Sequence, residues 1–199
     1  SRIDRLPESH KLTLKVAAVV GRVFDFDLLI QVHPNAVDVQ AIQSHIEALS
    51  GRDFIRLDDD PVSGRVMFKH NITQEVAYET LLQDQQGHLH RVIGEALEQQ
   101  TPQPVEQMAY HFVKGAILDK ACLYLDQAAC KAQQKFANET ALNYFNQALD
   151  IEDRWMWRRG QIETLHILGR RDDERQALQY FTALTDAPAF DIAYRWGLY

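Results

Sequence analysis

The pentapeptide Ala141-Leu142-Asn143-Tyr144-Phe145 returns 36 residues later (141 to 177) as Ala177-Leu178-Gln179-Tyr180-Phe181, with four of the five positions identical. Self-similarity at an offset of this size restricts a chain to architectures that stack copies of one supersecondary unit. In each copy a small residue precedes an aromatic by four positions, so both lie on one face of a helix. The alanine lets a neighbouring helix come close, and the phenylalanine fills the space that remains. Ala148 supplies the next small position, and Ala121, Leu125 and Ala128 repeat the pattern less fully. Stacked antiparallel helical hairpins are expected; an unrelated helical bundle is the alternative.

From Asn71 onward every local signal is helical. Apolar periodicity predicts helices near 72–83, 86–99, 103–115, 118–135, 138–151, 154–168 and 173–186. Breaks are expected at Gly87, at 101–104, at Gly115, Asn138, Glu152-Asp153, Gly169 and Pro188. Upstream the pattern differs. Pro7 opens an apolar stretch that stops at Gly21, predicting a helix over 8–20. Asp25 or Asp27 caps a short second helix through Leu28, Leu29 and Ile30, which ends before Pro34. Val39, Ile42, Ile46 and Leu49 share one face of a third helix over 37–49. The period then becomes two: Phe54-Ile55-Arg56-Leu57 and Val66-Met67-Phe68 flank turn chemistry at 58–64, which reads as a β-hairpin. Three helices and a hairpin are the order of a winged-helix unit, with the loop at 58–64 as its wing. The expected fold is therefore mainly α. A winged-helix domain with a small β-hairpin occupies 1–83, and a solenoid of antiparallel hairpins resembling tetratricopeptide repeats occupies 84–199.

Three segments carry a more specific likeness. They are Ile3 to Glu8 with Ala17 to Phe24; Phe68-Lys69-His70-Asn71-Ile72-Thr73-Gln74-Glu75-Val76-Ala77-Tyr78, followed by His90-Arg91 and Ala96-Leu97-Glu98; and Ala109-Tyr110-His111-Phe112 with Ala121 to Ala128. In this order they resemble the region after the nucleotide-binding core of bacterial signalling ATPases of the STAND group. These are P-loop ATPases fused to adenylate or guanylate cyclase domains, to protein kinases or to transcription regulators. The resemblance implies a parent with an ATPase core, a winged helix and a tetratricopeptide-like array, of which this chain holds the last two. Within the second segment, Phe68, His70, Gln74, Glu75 and Tyr78 form the motif of the strand-to-helix junction. The His70 imidazole is expected to hydrogen-bond that turn. Thr73, Gln74 and Glu75 are expected to form a first helical turn, and Val76, Tyr78 and Leu81 to face the core.

Catalytic chemistry finds no support. A P-loop needs a Gly-Lys pair after a glycine-rich turn, and no Gly-Lys dipeptide occurs. No segment resembles a metal-binding cyclase domain, and no paired acid and base or activated nucleophile can be named, so no catalytic residue and no cofactor are expected. His88 and His90 are two apart, whereas a helical zinc pair needs a spacing of four. Asp58-Asp59-Asp60 lacks the glycine and the terminal glutamate of a calcium loop, having Ser63 and Lys69 in those places. Cys122 and Cys130 read as two small buried hydrophobes in an Ala-rich helix.

Charge argues against nucleic acid. With 21 basic and 28 acidic side chains the chain carries −7, and residues 1–60 hold seven basic against ten acidic groups, a balance of −3. The third helix, over 37–49, has Asp38 and Glu47 and no Lys or Arg, so a DNA-binding regulator is the lesser alternative. Apolar runs such as Val16 to Gly21 fall far short of the roughly 20 residues of a membrane span. Arg2, Asp4, Arg5 and Glu8 stand where a signal peptide would need apolar residues, so a cytoplasmic setting is expected. The densest basic and aromatic cluster, Arg154, Trp157, Arg158 and Arg159 with Trp155, marks a candidate protein-interaction patch. The alternative there is a core tryptophan, with arginines paired to Asp150, Glu152, Asp153 or Glu163. A last apolar stretch, Phe190 to Tyr199 with Tyr194, Trp196 and Tyr199, reads as the start of another repeat helix. The function expected is that of a non-catalytic regulatory segment that binds protein partners or neighbouring domains.

Overall fold

A computed structural model describes residues 2–35, 38–58 and 64–183. Val37, most of the expected wing at 59–63, Pro188 and the aromatic stretch at 190–199 lie outside the described residues. Ten α-helices and a small antiparallel sheet make up the described chain. It divides into two units: Ser1–Pro104 with His111–Ala116, and Val105–Tyr110 with Ile117–Tyr199.

The first unit contains α1 (Glu8–Val20), β1 (Val23–Asp25), α2 (Phe26–Val32), α3 (Val39–Gly51), β2 (Ile55–Leu57), β3 (Arg65–Phe68), α4 (Asn71–Glu79) and α5 (Gln83–Glu98). α6 (Val105–Lys114) begins in the second unit and ends in the first. Leu14, Val16, Ala17, Ala18 and Val19 bury one broad face of α1, around which α2, α3, α4 and α5 pack. Asp38 caps α3 by accepting from the Ala41 N–H at 2.9 Å, and Ile42, Ile46 and Leu49 turn inward, whereas Val39 stays exposed. Asp25 is the N-cap residue of α2, but its side chain makes no capping bond.

The sheet has three strands where two were expected, in the order β1-β3-β2. β1 is only three residues long, too short to show alternation. It pairs Phe24 with Val66 on β3, while β2 sets Arg56 opposite Met67. Phe24 and Phe68 meet across the sheet at 6.2 Å between ring centroids. Gly64 enters β3 at φ +60, a left-handed conformation that favours glycine, and its carbonyl accepts from the Phe26 N–H at 2.8 Å.

A second departure concerns Gly87, expected to break a helix. It lies inside α5, and the interruption falls instead at residues 80–82, where the Leu82 N–H donates to the Gln85 side chain at 3.1 Å. Nothing crowds the Gly87 backbone, so the helix simply runs through it at the modest cost of a glycine.

The second unit contains the start of α6, then α7 (Leu118–Gln134), α8 (Asn138–Ile151), α9 (Trp155–Ile167) and α10 (Arg171–Ala183), each of these packed on the next. Ala141, Phe145 and Ala148 of α8 are buried, as are Ala177 and Phe181 of α10. α8 begins at 138 and α10 at 171, 33 residues apart, although the recurring pentapeptide is offset by 36. The surplus of three residues is close to one helical turn, so the same side chains still reach the same face. At Gly160 of α9 an added Cβ would overlap the Phe145 ring, so the small residue opposite that phenylalanine is part of the packing.

Candidate interaction cleft

Residues of α8, α9 and α10 line a cleft of about 290 Å³. Its floor is apolar: Leu142, Leu165 and Ala177, all buried, belong to the core cluster that also holds Ile162, Leu178 and Phe181. Its walls are polar. Gln161 donates to the Asn146 side chain at 2.7 Å and accepts from Arg158 Nη1 at 3.1 Å, and the Arg158 guanidinium lies 5.4 Å from the centroid of the Tyr180 ring. Gln176 adds an exposed amide, and Arg170 and Asp173 pair with each other at 2.7 Å at the mouth. An apolar floor under donors and acceptors suits a polypeptide segment, since side-chain amides offer both halves of a peptide hydrogen bond.

Of the four residues in the basic and aromatic patch, only Arg158 lines this cleft. Trp157 is buried, and its indole N–H donates to Asp126 of α7. Burial pushes the Asp126 carboxyl up, and that bond partly offsets the rise. The arginines are paired: Arg154 with Glu152 at 2.6 Å, Arg158 with Asp153 at 2.7 Å and Arg159 with Glu163 at 3.3 Å. Arg154 also lies over the Trp157 ring, 5.2 Å from its centroid.

The junction motif lies elsewhere, in the first unit. Phe68 is buried at the end of β3, and Glu75 is exposed on α4. His70 corrects the sequence reading: it occupies the N-cap position of α4 but is exposed, and its imidazole makes no capping bond. Its carbonyl does the local work by accepting from the Thr73 N–H at 3.0 Å. Gln74 reaches across to α1, donating to the Ala18 carbonyl at 2.9 Å. Tyr78 meets His90 of α5, Oη to Nε2 at 3.1 Å, and His90 meets His111 of α6, Nδ1 to Nδ1 at 2.9 Å. Both histidines are buried. Burial holds His90 down to about 4 and His111 to about 3, aided respectively by the cationic Lys114 and by His90 itself.

In the sequence, His90 figured in a family-like segment and in a failed search for zinc spacing, and His111 in a separate segment, with nothing to connect the two. The available signal was that His90 falls on the apolar stripe of its helix with Ile93 and Leu97, where an imidazole needs a partner. Cys122 is buried as expected, but Cys130 is exposed, and both are free thiols. Burial raises the pKa of each, which disfavours the reactive thiolate. Among the described residues no group of three or more His, Cys, Asp or Glu side chains is placed to hold a metal ion, and no helix is long and apolar enough to cross a membrane.

Comparison with protein-family models, with curated proteins and with solved structures gives no match.

Proposed function

We propose that this chain is a non-catalytic regulatory and protein-interaction segment of a multidomain, nucleotide-switched signalling ATPase of the STAND type, with a winged-helix-like first unit and tetratricopeptide-like hairpins after it. The observation that carries the reading is the cleft on α8, α9 and α10, where amides and a stacked arginine stand over an apolar floor. The helix–strand–helix–helix–strand–strand order of the first unit supports the winged-helix part. The buried Ala141/Phe145 and Ala177/Phe181 pairs support the repeat part. The partner is another domain of the same parent or a protein bound by it.

Two experiments test this. The coding sequence upstream of Ser1 is expected to carry a glycine-rich P-loop ending in Gly-Lys, and its absence overturns the assignment of the parent. A photo-reactive side chain placed at Gln176 in the parent is expected to cross-link to polypeptide far more efficiently than one at exposed Ile72; equal yields at the two sites would remove the cleft from consideration. DNA binding through α3 is the weaker reading, because Val39–Gly51 contains no Lys or Arg. A mobility-shift assay at low salt is expected to show no complex.

A further inference from the structure

Two hydrogen-bond relays built on histidine converge on α1, one near each end. At the C-terminal end the order of protons follows from one fixed acceptor. The Val20 carbonyl can only accept, and it takes a hydrogen bond from His111. His111 therefore carries its hydrogen on Nε2, and its Nδ1 is a bare acceptor. His90 must donate from Nδ1 across the 2.9 Å contact, which leaves its Nε2 bare, and the Tyr78 hydroxyl donates to that nitrogen at 3.1 Å. In this order of protons both rings are neutral. A proton added to His90 Nε2 makes Tyr78 reverse its hydroxyl; a second, on His111 Nδ1, sets two N–H groups head to head and breaks the central bond. Lys114 at the end of α6 adds positive charge beside His90, which disfavours a proton there.

At the other end the buried Thr13 hydroxyl joins three elements. The Asn35 N–H donates to His33 Nδ1 at 3.1 Å, so His33 Nε2 carries the hydrogen and donates to Thr13 Oγ1 at 3.2 Å. The threonine hydrogen then goes to the Ser9 carbonyl at 3.2 Å or to His45 Nδ1 of α3 at 2.9 Å. His10 of α1 lies against His45 with ring centroids 4.6 Å apart, and Arg52, just past α3, adds positive charge beside His10. A proton on His33 Nδ1 would collide with the Asn35 N–H. Protons on both His10 and His45 would repel each other.

We propose that these two uncharged relays form an acid-released latch on α1, so that mild acid opens the first unit while the hairpin unit keeps its fold. The sign of the linkage agrees. His10, His33, His90 and His111 all bind protons less readily when folded than an unfolded histidine does, chiefly because of burial. Their contribution to stability is therefore complete above the ordinary histidine pKa of about 6.5 and is lost as pH falls below it. The second unit is built differently. Its one described histidine, His166, is half-buried with the Glu174 carboxyl at 2.9 Å and the Arg171 guanidinium at 2.6 Å, and it stands outside the apolar cluster that joins the helices.

Hydrogen exchange on the full chain, followed residue by residue between pH 6.5 and 5, tests the latch before ordinary carboxylates titrate. Uptake of two or more protons on opening predicts that the opening constant of α1 and α5 amides rises roughly 100-fold per pH unit once below about pH 6. Amides of α8, which holds no histidine, are expected to change by less than about threefold. Equal changes in the two units, or none in α1, overturn the proposal. Substituting His33→Asn removes one titrating ring and is expected to lower the slope by one proton; an unchanged slope also counts against the latch. In the wild-type chain, NMR is expected to show the His90 and His111 rings taking up protons only together with loss of the native α1 signals; protonation of either ring with the α1 signals unchanged overturns the proposal.

Discussion

Around α1 the interior of the first unit is threaded with polar groups: Thr13, His33, His90 and His111 are all buried and joined by directional hydrogen bonds. Around α9 the second unit buries fewer polar groups among the described residues, Thr164 and Glu174, and closes mainly by fit, with Phe145 seated on the Gly160 backbone and Leu142, Ile162, Leu165, Leu178 and Phe181 meshed in one cluster. The contrast shows two ways of fixing helices against each other. Hydrogen bonds specify one arrangement but depend on protonation, whereas close packing is indifferent to pH and intolerant of changes in volume.

The largest expected effect separates these most directly. Phe181→Ala empties a fully buried site in the second unit and is expected to cost about 3–5 kcal/mol in denaturant unfolding. A cost near 1 kcal/mol would mean that the cluster collapses around the gap, as a loosely packed bundle would.

Glycine sets up a matched pair of smaller effects. Gly160→Ala drives a Cβ into the Phe145 ring, and Gly94→Ala in the first unit brings one to 2.8 Å from Phe112 Cε1. Each is expected to cost about 1–3 kcal/mol through overpacking. The loss should be greater at Gly160, where the overlap is deeper, and partial recovery in Phe145→Leu would show that the ring is the cause. If alanine is tolerated at both sites, helix propensity has outweighed contact, and the second unit is less tightly fitted than its geometry indicates.

Thr13→Val keeps the shape of the side chain and removes the hydroxyl shared by His33 and His45. It is expected to cost about 1–3 kcal/mol at pH 7, because the His33 N–H loses its acceptor in a buried site. The same change at pH 5 should cost less, since the relay is then already weakened. A cost independent of pH would place the energy in packing and erase the distinction between the units.

Legibility in the sequence followed the same division. Helices closed by apolar fit could be read from periodicity, and the segment expected at 138–151 matches α8, Asn138–Ile151. The buried small-and-aromatic pairs were visible because recurrence marks them twice. The relays were not, because Thr13, His33, His45, His90 and His111 are far apart in sequence and only tertiary contact brings them together. β1 was missed because three residues show no period and Phe24 becomes a strand residue only by pairing with Val66. The cleft was half visible: Arg158 belonged to the basic cluster, but Asn146, Gln161 and Tyr180 are ordinary surface residues until three helices converge.

The smallest effect concerns the turns between helices. Ala116, Phe136 and Gly169 each hold a left-handed backbone, with φ of 54, 58 and 70, at the ends of α6, α7 and α9. Only glycine takes this conformation without a Cβ clash. Phe136 is 87% exposed, so its ring buries little apolar surface that would offset the strain. Phe136→Gly is therefore expected to stabilise the second unit by up to about 1 kcal/mol, the relief being partly cancelled by the greater freedom of glycine in the unfolded chain. Ala116→Gly should do the same for the first unit, and Gly169→Ala should reverse the sign. Since backbone strain makes no reference to histidines or ring packing, all three shifts should be equal at pH 7 and pH 5.5. A pH-dependent gain at Ala116 alone would tie that turn to His111 of the preceding helix and its partner His90 on α5, and so extend the difference between the units to their turns.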